Sequence, residues 1–298
     1  MVSRLINGLK YLLFDVHNGW EMGFMSTPIE KVISNKKLGD IHWLKTPKNT
    51  IWADPFGLKV DNHYYVYYEE KYQGEYGVVN CMVLDDKLNM ITNKTIIDEG
   101  VHFSFPNVFE FDHSYYMLPE TYEKGRLSLY ECLEFPFEWK EEVIILNEPC
   151  VDSSLFFYEG MWFLLYCKLG HENNLFLKIN SKLKEGWGEV DEVLVNQDPF
   201  NSQNGGRIID INGNLFRVSQ NCSKIYGESI VVNAIDQLSN ESYNESIFHE
   251  FKLKSKTVSC CHTLNSCGDI TLIDRRRERY YLKSPKGILS DLLKKLKG

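Results

Sequence analysis

The chain has 298 residues, which is long for an ordinary single domain but usual for an all-β propeller or barrel. Hydrophobic residues make up 43% and charged residues 25%, a balance that predicts a globular protein with a sizeable core and excludes a disordered chain. The formal net charge of −8 argues against non-specific nucleic-acid binding, which needs a basic surface to displace counterions from phosphates.

Motifs for metals and cofactors are not found. The eight cysteines form no Cys-x-x-Cys pair and no zinc-type spacing, so we expect no metal site and reduced thiols in a cytoplasmic protein. No dinucleotide-binding, Walker, serine-hydrolase or zinc-protease motif occurs, so no cofactor is expected. The sequence shows no signal peptide and no window with the roughly 18 apolar residues that span a bilayer.

From about residue 50 the chain repeats one pattern with a period of roughly 50 residues: a polar residue, an apolar strand, a tight turn and an aromatic-rich strand. The copies are "ADPFGLKVDNHYYVYYEE", "SFPNVFEFDHSYYMLPET", "VDSSLFFYEGMWFLLYCK", "GGRIIDINGNLFRVSQN" and, more weakly, "HTLNSCGDITLIDRRRERYYLK". The turns are expected near residues 61–62, 112–113, 159–160, 212–213 and 274–275. Five copies predict an all-β fold, a five-bladed β-propeller over residues 46–284.

The two ends of the chain differ from this pattern. Residues 1–45 are expected to supply a strand that closes the ring with the last blade, because closure removes exposed sheet edges. Residues 285–298, "SPKGILSDLLKKLKG" with the preceding serine, carry leucines at helical spacing beside lysines, which predicts a short C-terminal amphipathic helix. That helix either docks on or frays from the domain, or lies on an anionic membrane surface, in which case the protein would be peripheral to the inner face of the membrane.

Two acids occupy matched positions in the repeats. Asp54 and Asp152 each lie seven residues before the turn of their copy, where the second copy has Phe105. Residues at the start of corresponding innermost strands converge on one pocket in a propeller, and buried acids are costly without a partner or a task. Each acid alone could simply cap a turn. Two acids at matched positions favour a functional site in this pocket.

The runs "WADPFGLKVDNHYYVYY" and "VDSSLFFYEGMWFLLY" resemble the first and third blades of the five-bladed glycoside hydrolases of family 43. The resemblance implies that Asp54 is a general base or nucleophile and that Asp152 tunes its pKa and holds the substrate. The fourth blade departs from the family pattern, because Asn204 stands where the family has its general acid. Arg207, three residues on, suits a phosphate or a carboxylate, or forms a salt bridge to one of the two aspartates.

A second resemblance covers about residues 19–275. "WEMGF", "WADPF", "FSFPNVFE", "LPET", "GGRIIDINGNLFRVSQNCSKIYGESI" and "HTLN", in that order, resemble the N-terminal domain of plant glucosamine inositolphosphorylceramide transferases and of related bacterial proteins from surface-polysaccharide loci. This resemblance implies a propeller in a carbohydrate context.

The remaining candidates are polar residues near the predicted pocket. Glu120, at the end of "MLPE", is the substitute general acid, unless it is an exposed glutamate at a strand end. The others could bind a sugar or only stabilise the structure. They are His102, Ser104, Gln220, Asn221, Tyr226 and His262.

These observations predict a carbohydrate-active enzyme acting on a glycosidic bond as a glycosyltransferase, phosphorylase or hydrolase-like protein, in surface glycan or glycolipid biosynthesis. Its partners would be a saccharide, a glycolipid or a nucleotide sugar. The alternative is a non-catalytic propeller that binds glycans or serves as a scaffold.

Overall fold

A computed structural model describes residues 13–239, 242–253, 255, 257–286 and 288. The described residues form a five-bladed β-propeller with one antiparallel sheet per blade. In the first four blades the strands follow each other in chain order, from the innermost strand at the channel to the outermost strand. Blade 1 contains β3 (Thr50–Val60), β4 (His63–Tyr72), β5 (Gly77–Leu84) and β6 (Met90–Ile97). Blade 2 contains β7 (Ser104–Phe111), β8 (Ser114–Glu120), β9 (Leu127–Glu134) and β10 (Glu138–Leu146). Blade 3 contains β11 (Cys150–Tyr158), β12 (Met161–Lys168), β13 (His171–Asn180) and β14 (Val193–Asn196). Blade 4 contains β15 (Asn204–Ile211), β16 (Asn214–Asn221), β17 (Ser229–Leu238) and β18 (Tyr243–Phe251).

Blade 5 is assembled from both ends of the described chain. It combines β19 (Val258–Cys260), β20 (Leu264–Cys267) and β21 (Ile270–Leu282) with β1 (Phe14–Met25) and β2 (His42–Trp43). β1 pairs with β21 over its whole length, from Phe14 opposite Leu282 to Met25 opposite Thr271. This pairing joins the N-terminal strand to the last blade and leaves neither strand as a free edge.

The predicted hairpin turns are confirmed in the first four blades, where the strands reverse at residues 61–62, 112–113, 159–160 and 212–213. Asp61, Asp112, Glu159 and Asn212 have positive φ there, as such tight turns require. The fifth turn prediction is wrong. The chain reverses at Gly268 and Asp269, and Asp274 lies inside β21, because this strand must run 13 residues to pair with β1.

The innermost strands of blades 1, 2 and 3 each carry a β-bulge near their start. In β3, β7 and β11 the ladder shifts between Ala53 and Phe56, between Ser104 and Asn107, and between Val151 and Ser154. The residues at the bulges, Asp54, Phe105 and Asp152, have φ values of 52°, 45° and 49°. A non-glycine residue in this region is uncommon, and bulges redirect side chains near functional sites.

Helical structure in the described residues is minor. The helix α1 (Ile29–Ser34) lies between β1 and β2 and buries Ile29, Val32 and Ile33 against blades 4 and 5. A 3-10 turn covers Tyr122–Lys124. An amphipathic helix was predicted for residues 285–298. Most of this segment, residue 287 and residues 289–298, lies outside the described residues. Within the described part of the chain, no helix has the length and apolar character that a bilayer crossing requires.

Candidate active site

A cavity of about 600 Å³ opens at the end of the propeller where the innermost strands begin. Its wall combines acids, aromatic rings and one lysine, Lys71. The acids on the wall are Asp54, Glu69, Glu120, Asp152 and Glu172. Among the predicted site residues, those that line this cavity are Asp54, Ser104, Glu120, Asp152, Tyr226 and His262. Blades far apart in sequence therefore converge on one acidic pocket.

Asp54 is buried and surrounded by groups that stabilise its anion. Its Oδ2 accepts the backbone N–H of Phe105 at 3.3 Å, and its Oδ1 lies 3.0 Å from the hydroxyl of Thr263. His262 Nε2 is 3.7 Å from the same Oδ1. Burial raises the pKa of Asp54, and the nearby His262 opposes that rise. Because these neighbours point at the carboxylate, Asp54 is the acid of the cavity best suited to work as an anion.

His262 is held in place by Asp274, a residue that the sequence analysis did not select. Asp274 Oδ2 lies 2.7 Å from His262 Nδ1, and the carboxylate also accepts the backbone N–H groups of Asp54, His262 and Thr263 at 3.0 to 3.1 Å. Burial opposes ionisation of both groups, but their mutual attraction prevails: it lowers the pKa of Asp274 and raises that of His262. The pair therefore places beside Asp54 an imidazole whose pKa is raised by the neighbouring carboxylates.

Asp152 lies on blade 3, and its carboxylate accepts a hydrogen bond from one side-chain amide. Gln220 Nε2 donates to Asp152 Oδ2 at 2.9 Å, and the backbone N–H of Asp152 donates to Glu120 Oε2 at 3.0 Å. Burial and the nearby Glu120 and Asp54 raise the pKa of Asp152 well above its ordinary value. Gln220, predicted to bind substrate, thus acts on the cavity through Asp152.

Asn204 cannot substitute for the missing acid of blade 4. Its Nδ2 donates to the carbonyls of Asp152 and Leu165 at 2.7 and 3.0 Å, and its Oδ1 accepts from Arg217 Nη1 at 3.0 Å. Arg217 is itself fully buried and paired with Glu245. Asn204 is therefore part of the structural network that links blades 3 and 4.

Glu69 and Glu120 are structurally equivalent acids on blades 1 and 2. Each lies on the second strand of its blade, opposite the residue that precedes the bulge, so that Glu69 faces Ala53 and Glu120 faces Ser104. Burial, reinforced by the charge of Asp54, raises the pKa of Glu69 to about 8 and that of Glu120 to about 7. Both carboxyls can therefore hold a proton near neutral pH.

His102 lies behind Glu69 rather than on the cavity wall. Its Nδ1 accepts the backbone N–H of Gly77 at 2.9 Å, and its Nε2 is 3.8 Å from Glu69 Oε1. Burial and the charge of Lys71 lower the pKa of His102 to about 4, so the ring is neutral. The structure gives His102 a supporting position beside Glu69.

An aromatic wall faces the acids. The indole of Trp20, on β1, stacks on the His262 ring with a centroid distance of 3.7 Å and an angle of 15°. Tyr226 contacts both rings edge-on, with centroid distances of 6.2 Å to Trp20 and 5.4 Å to His262. It lines the cavity, and 48% of its surface is exposed. Flat rings beside carboxyl groups suit the apolar face and the hydroxyls of a sugar.

Arg207 and Asn221 lie away from the cavity wall. Arg207 reaches across the channel and donates through Nη2 to the carbonyls of Gly57 at 3.0 Å and Val108 at 2.8 Å. These carbonyls are three residues beyond the bulges of blades 1 and 2, so its guanidinium lies below the acids. No salt bridge joins it to Asp54 or Asp152 among the described contacts. Asn221 uses its side chain to order the loop at Ser223.

One group among the described residues has the geometry to attract a metal ion. Asp54, His262 and Asp274 offer three ligand atoms that lie within 4.8 Å of one another. The same atoms hydrogen-bond to each other or to Thr263. They form a closed cluster in which each group already has partners, and Asp274 holds the His262 ring in place and raises its pKa.

Comparison with known proteins identifies the family. The model of the N-terminal domain of glucosamine inositolphosphorylceramide transferase 1 matches residues 30–262, most of the chain. The chain belongs to this family. Glucosamine inositolphosphorylceramide transferase 1 of Oryza sativa subsp. indica is 33% identical over 211 residues, which cover 67% of this chain and 28% of the rice protein. The chain thus spans little more than a quarter of the curated relative.

Solved structures share the fold. The catalytic domain of the Coprinopsis cinerea family 62 α-L-arabinofuranosidase superimposes with a TM-score of 0.59 at 10% identity, covering 89% of this chain and 98% of that domain. A thermostable family 43 glycoside hydrolase gives a TM-score of 0.54 at 15% identity, covering 80% and 95%. At these identities the likeness establishes the five-bladed propeller and nothing about the reaction.

For this member of the family, several wall residues were absent from the predicted site, among them Trp20, Glu69 and Lys71. Glu69 could have been selected, because it occupies in copy one the place of Glu120 in copy two. Trp20 carries no such signal, since it lies on β1, outside the repeats, and reaches the cavity only through the pairing of β1 with β21.

Proposed function

We propose that the chain is a carbohydrate-active enzyme that makes or breaks a glycosidic bond in glycan or glycolipid synthesis. One observation carries the proposal: Asp54 and Glu120 line the same cavity, but the His262 imidazole beside Asp54 opposes the rise in its pKa, whereas burial raises the pKa of Glu120 to about 7. Two carboxyls in unlike environments are what acid and base catalysis at a sugar requires.

The roles follow from these surroundings. Glu120 would protonate the oxygen of the leaving group. Asp54 would either remove the proton of an incoming hydroxyl or attack the anomeric carbon. His262, held in place by Asp274, would oppose the rise in the Asp54 pKa that burial causes and would orient the carboxylate. Asp152 would stabilise the positive charge that develops on the sugar ring. Membership of a family named for a transferase favours transfer to an acceptor over simple hydrolysis.

The substrate class is a saccharide carried by a nucleotide or a glycolipid. The match to relatives named for action on inositolphosphorylceramide supports a phosphate-bearing glycolipid. We further propose a cytoplasmic location, in keeping with cysteines that are free throughout the described chain.

The test is product formation with a panel of nucleotide sugars, oligosaccharides and inositol-phosphate glycolipids, followed by mass spectrometry. We expect turnover by the wild type and a loss of about 10²- to 10⁴-fold in Asp54→Asn, the range for removing a general base. Asp112→Asn is the matched control, because Asp112 is an exposed turn residue with a similar positive φ of 49°. Sugar binding by both proteins with no turnover in either would instead establish a non-catalytic glycan-binding domain.

A further inference from the structure

Residues 275–279, Arg-Arg-Arg-Glu-Arg, form the most basic run of the described chain. It lies within β21, where alternate side chains share one face of the sheet. Arg275 and Arg277 on that face both contact the carboxylate of Glu21. Arg279, the third on this face, is 8% exposed and has no carboxylate partner among the described contacts.

Arg279 instead donates to neutral carbonyls. Its Nη2 lies 2.6 Å from the oxygen of Thr50 and its Nη1 lies 3.4 Å from that of Pro47, while Nε has no partner. A buried charge without a counter-ion is costly, and such groups are normally paired. Its uncompensated charge is therefore available to a ligand.

A second cavity, of about 300 Å³, lies against this arginine. Arg279, Lys71 and His17 line it, and none of its described lining residues is acidic. We call it the basic cavity. The side-chain oxygen of Asn49, also on its wall, has no hydrogen-bond partner. In a chain of net charge −8, two cations around one cavity without an acid are a local feature and not a reflection of overall composition.

The basic cavity adjoins the acidic one. Ile51 and Lys71 belong to the walls of both. Lys71 lies on β4 two residues after Glu69, and its ammonium group makes no hydrogen bond or ion pair among the described contacts. A ligand that spans both cavities would place an anionic group beside Lys71 and Arg279 and its neutral remainder beside the carboxyls.

From this geometry we propose that the basic cavity binds a phosphate group of the substrate. Phosphate fits because it accepts charge-assisted hydrogen bonds from both a guanidinium and an ammonium group, and the cavity is far larger than one phosphate requires. Two sources share this chemistry: the phosphodiester of a lipid headgroup and the diphosphate of a sugar nucleotide. The binding itself does not depend on the catalytic roles of Asp54 or Glu120.

The experiment is calorimetric titration of the full chain with glycerophosphoinositol, UDP and inorganic phosphate. Lys71→Gln should weaken the best of these ligands about tenfold, as expected for loss of one charge-assisted hydrogen bond. Lys87→Gln is the control, because Lys87 is exposed, lies on neither cavity wall and makes the same charge change. Arg279→Lys, which keeps the charge but not the planar fork, should weaken binding by a smaller factor.

The ligand preference identifies the source. Tighter binding of glycerophosphoinositol indicates a lipid headgroup, and tighter binding of UDP indicates a nucleotide donor. Asp54→Asn should leave the affinity for either ligand within about twofold, so a failure of the proposed catalysis would not affect this result. No binding of any of the three, or equal affinities in wild type and Lys71→Gln, would overturn the phosphate site.

Discussion

At the scale of single residues, the acids of the cavity differ in what surrounds them. Asp54 adopts a φ of 52°, and a backbone N–H, a hydroxyl and an imidazole surround its carboxylate, an arrangement that requires Phe105, Thr263 and His262 to converge on it. Strained backbone of this kind is maintained when neighbouring structure over-determines it, and it is concentrated at functional sites. Glu120 lacks a cationic neighbour, so burial governs its protonation.

The pKa of Glu120 leads to a pH prediction for activity. Because burial raises this pKa to about 7, the proton that Glu120 must donate is present below pH 7 and lost above it. We expect kcat to fall about tenfold per pH unit on the alkaline side of this value, measured on the substrate found with the panel. The Glu69→Gln variant should show the same fall in kcat above pH 7. If kcat did not change between pH 6 and 9, or if Glu69→Gln abolished the fall above pH 7, the proton donor would be a residue other than Glu120.

At the scale of elements, the site depends on how tightly the innermost strands of neighbouring blades approach. Gly205, in β15, lies so close to blade 5 that a Cβ there would be 2.4 Å from the carbonyl oxygen of His262. The neighbouring Gly206 would place its Cβ 2.4 Å from the carbonyl of Leu264. Two adjacent glycines thus allow blade 4 to contact the backbone that presents His262 and Thr263.

Substitution of Gly205 tests this contact. Gly205→Ala should lower the free energy of unfolding by about 1–3 kcal/mol, because the added methyl meets backbone that cannot rotate away. Gly188→Ala provides the control, since a Cβ at Gly188 meets nothing within 4 Å, and we expect no loss there. Denaturant unfolding of the three proteins gives the comparison. Equal stabilities of Gly205→Ala and the wild type would show that the blades can separate at this point without cost.

At the scale of the whole molecule, concentrating acids in one cavity should make stability depend on pH. The pKa of Glu69 is about 8 in the folded protein against an ordinary value of 4.5. Between these values the folded state holds a proton that the unfolded chain has released, so stability falls as pH rises through this window. Below pH 4.5 both states are protonated and the penalty vanishes.

Glu69→Gln should therefore reduce this dependence. We expect the variant to be more stable than the wild type at pH 8, by an amount on the order of 1–3 kcal/mol, and to differ much less at pH 5. Unfolding by denaturant at both pH values measures the effect, and Glu75→Gln, at an exposed glutamate of the same blade, should match the wild type. A wild type whose stability rises between pH 5 and 8 to the same extent as that of Glu69→Gln would contradict the proposed burial cost.

The repeated pattern of strand, turn and aromatic strand was sufficient to predict the five-bladed propeller, because hairpin turns and aromatic strands are local signals in the sequence. It also identified Asp54 and Asp152, because equivalent positions in a propeller become neighbours. It could not identify Asp274, which is 220 residues from Asp54 and was assigned to a turn, or the stacking of Trp20 on His262. Ring closure was expected, but those contacts depend on the register in which β1 pairs with β21 and on how blade 5 packs against blade 1, and no local pattern records either. The position of Arg207 below the cavity was hidden because its guanidinium meets carbonyls of blades 1 and 2, which are distant in sequence.

The central claim is that a sugar binds in the acidic cavity with its reacting bond between Asp54 and Glu120. A crystal structure of Asp54→Asn soaked with the nucleotide sugar or glycolipid selected by the activity panel tests it most directly. We predict the glycosidic oxygen within hydrogen-bonding reach of Glu120. The side chain of residue 54 should lie about 3–3.5 Å from the anomeric carbon if it is the nucleophile, or leave room for one acceptor hydroxyl between them if it is the base. A sugar bound outside this cavity, or inside it with the glycosidic oxygen remote from both carboxyl positions, would contradict the account.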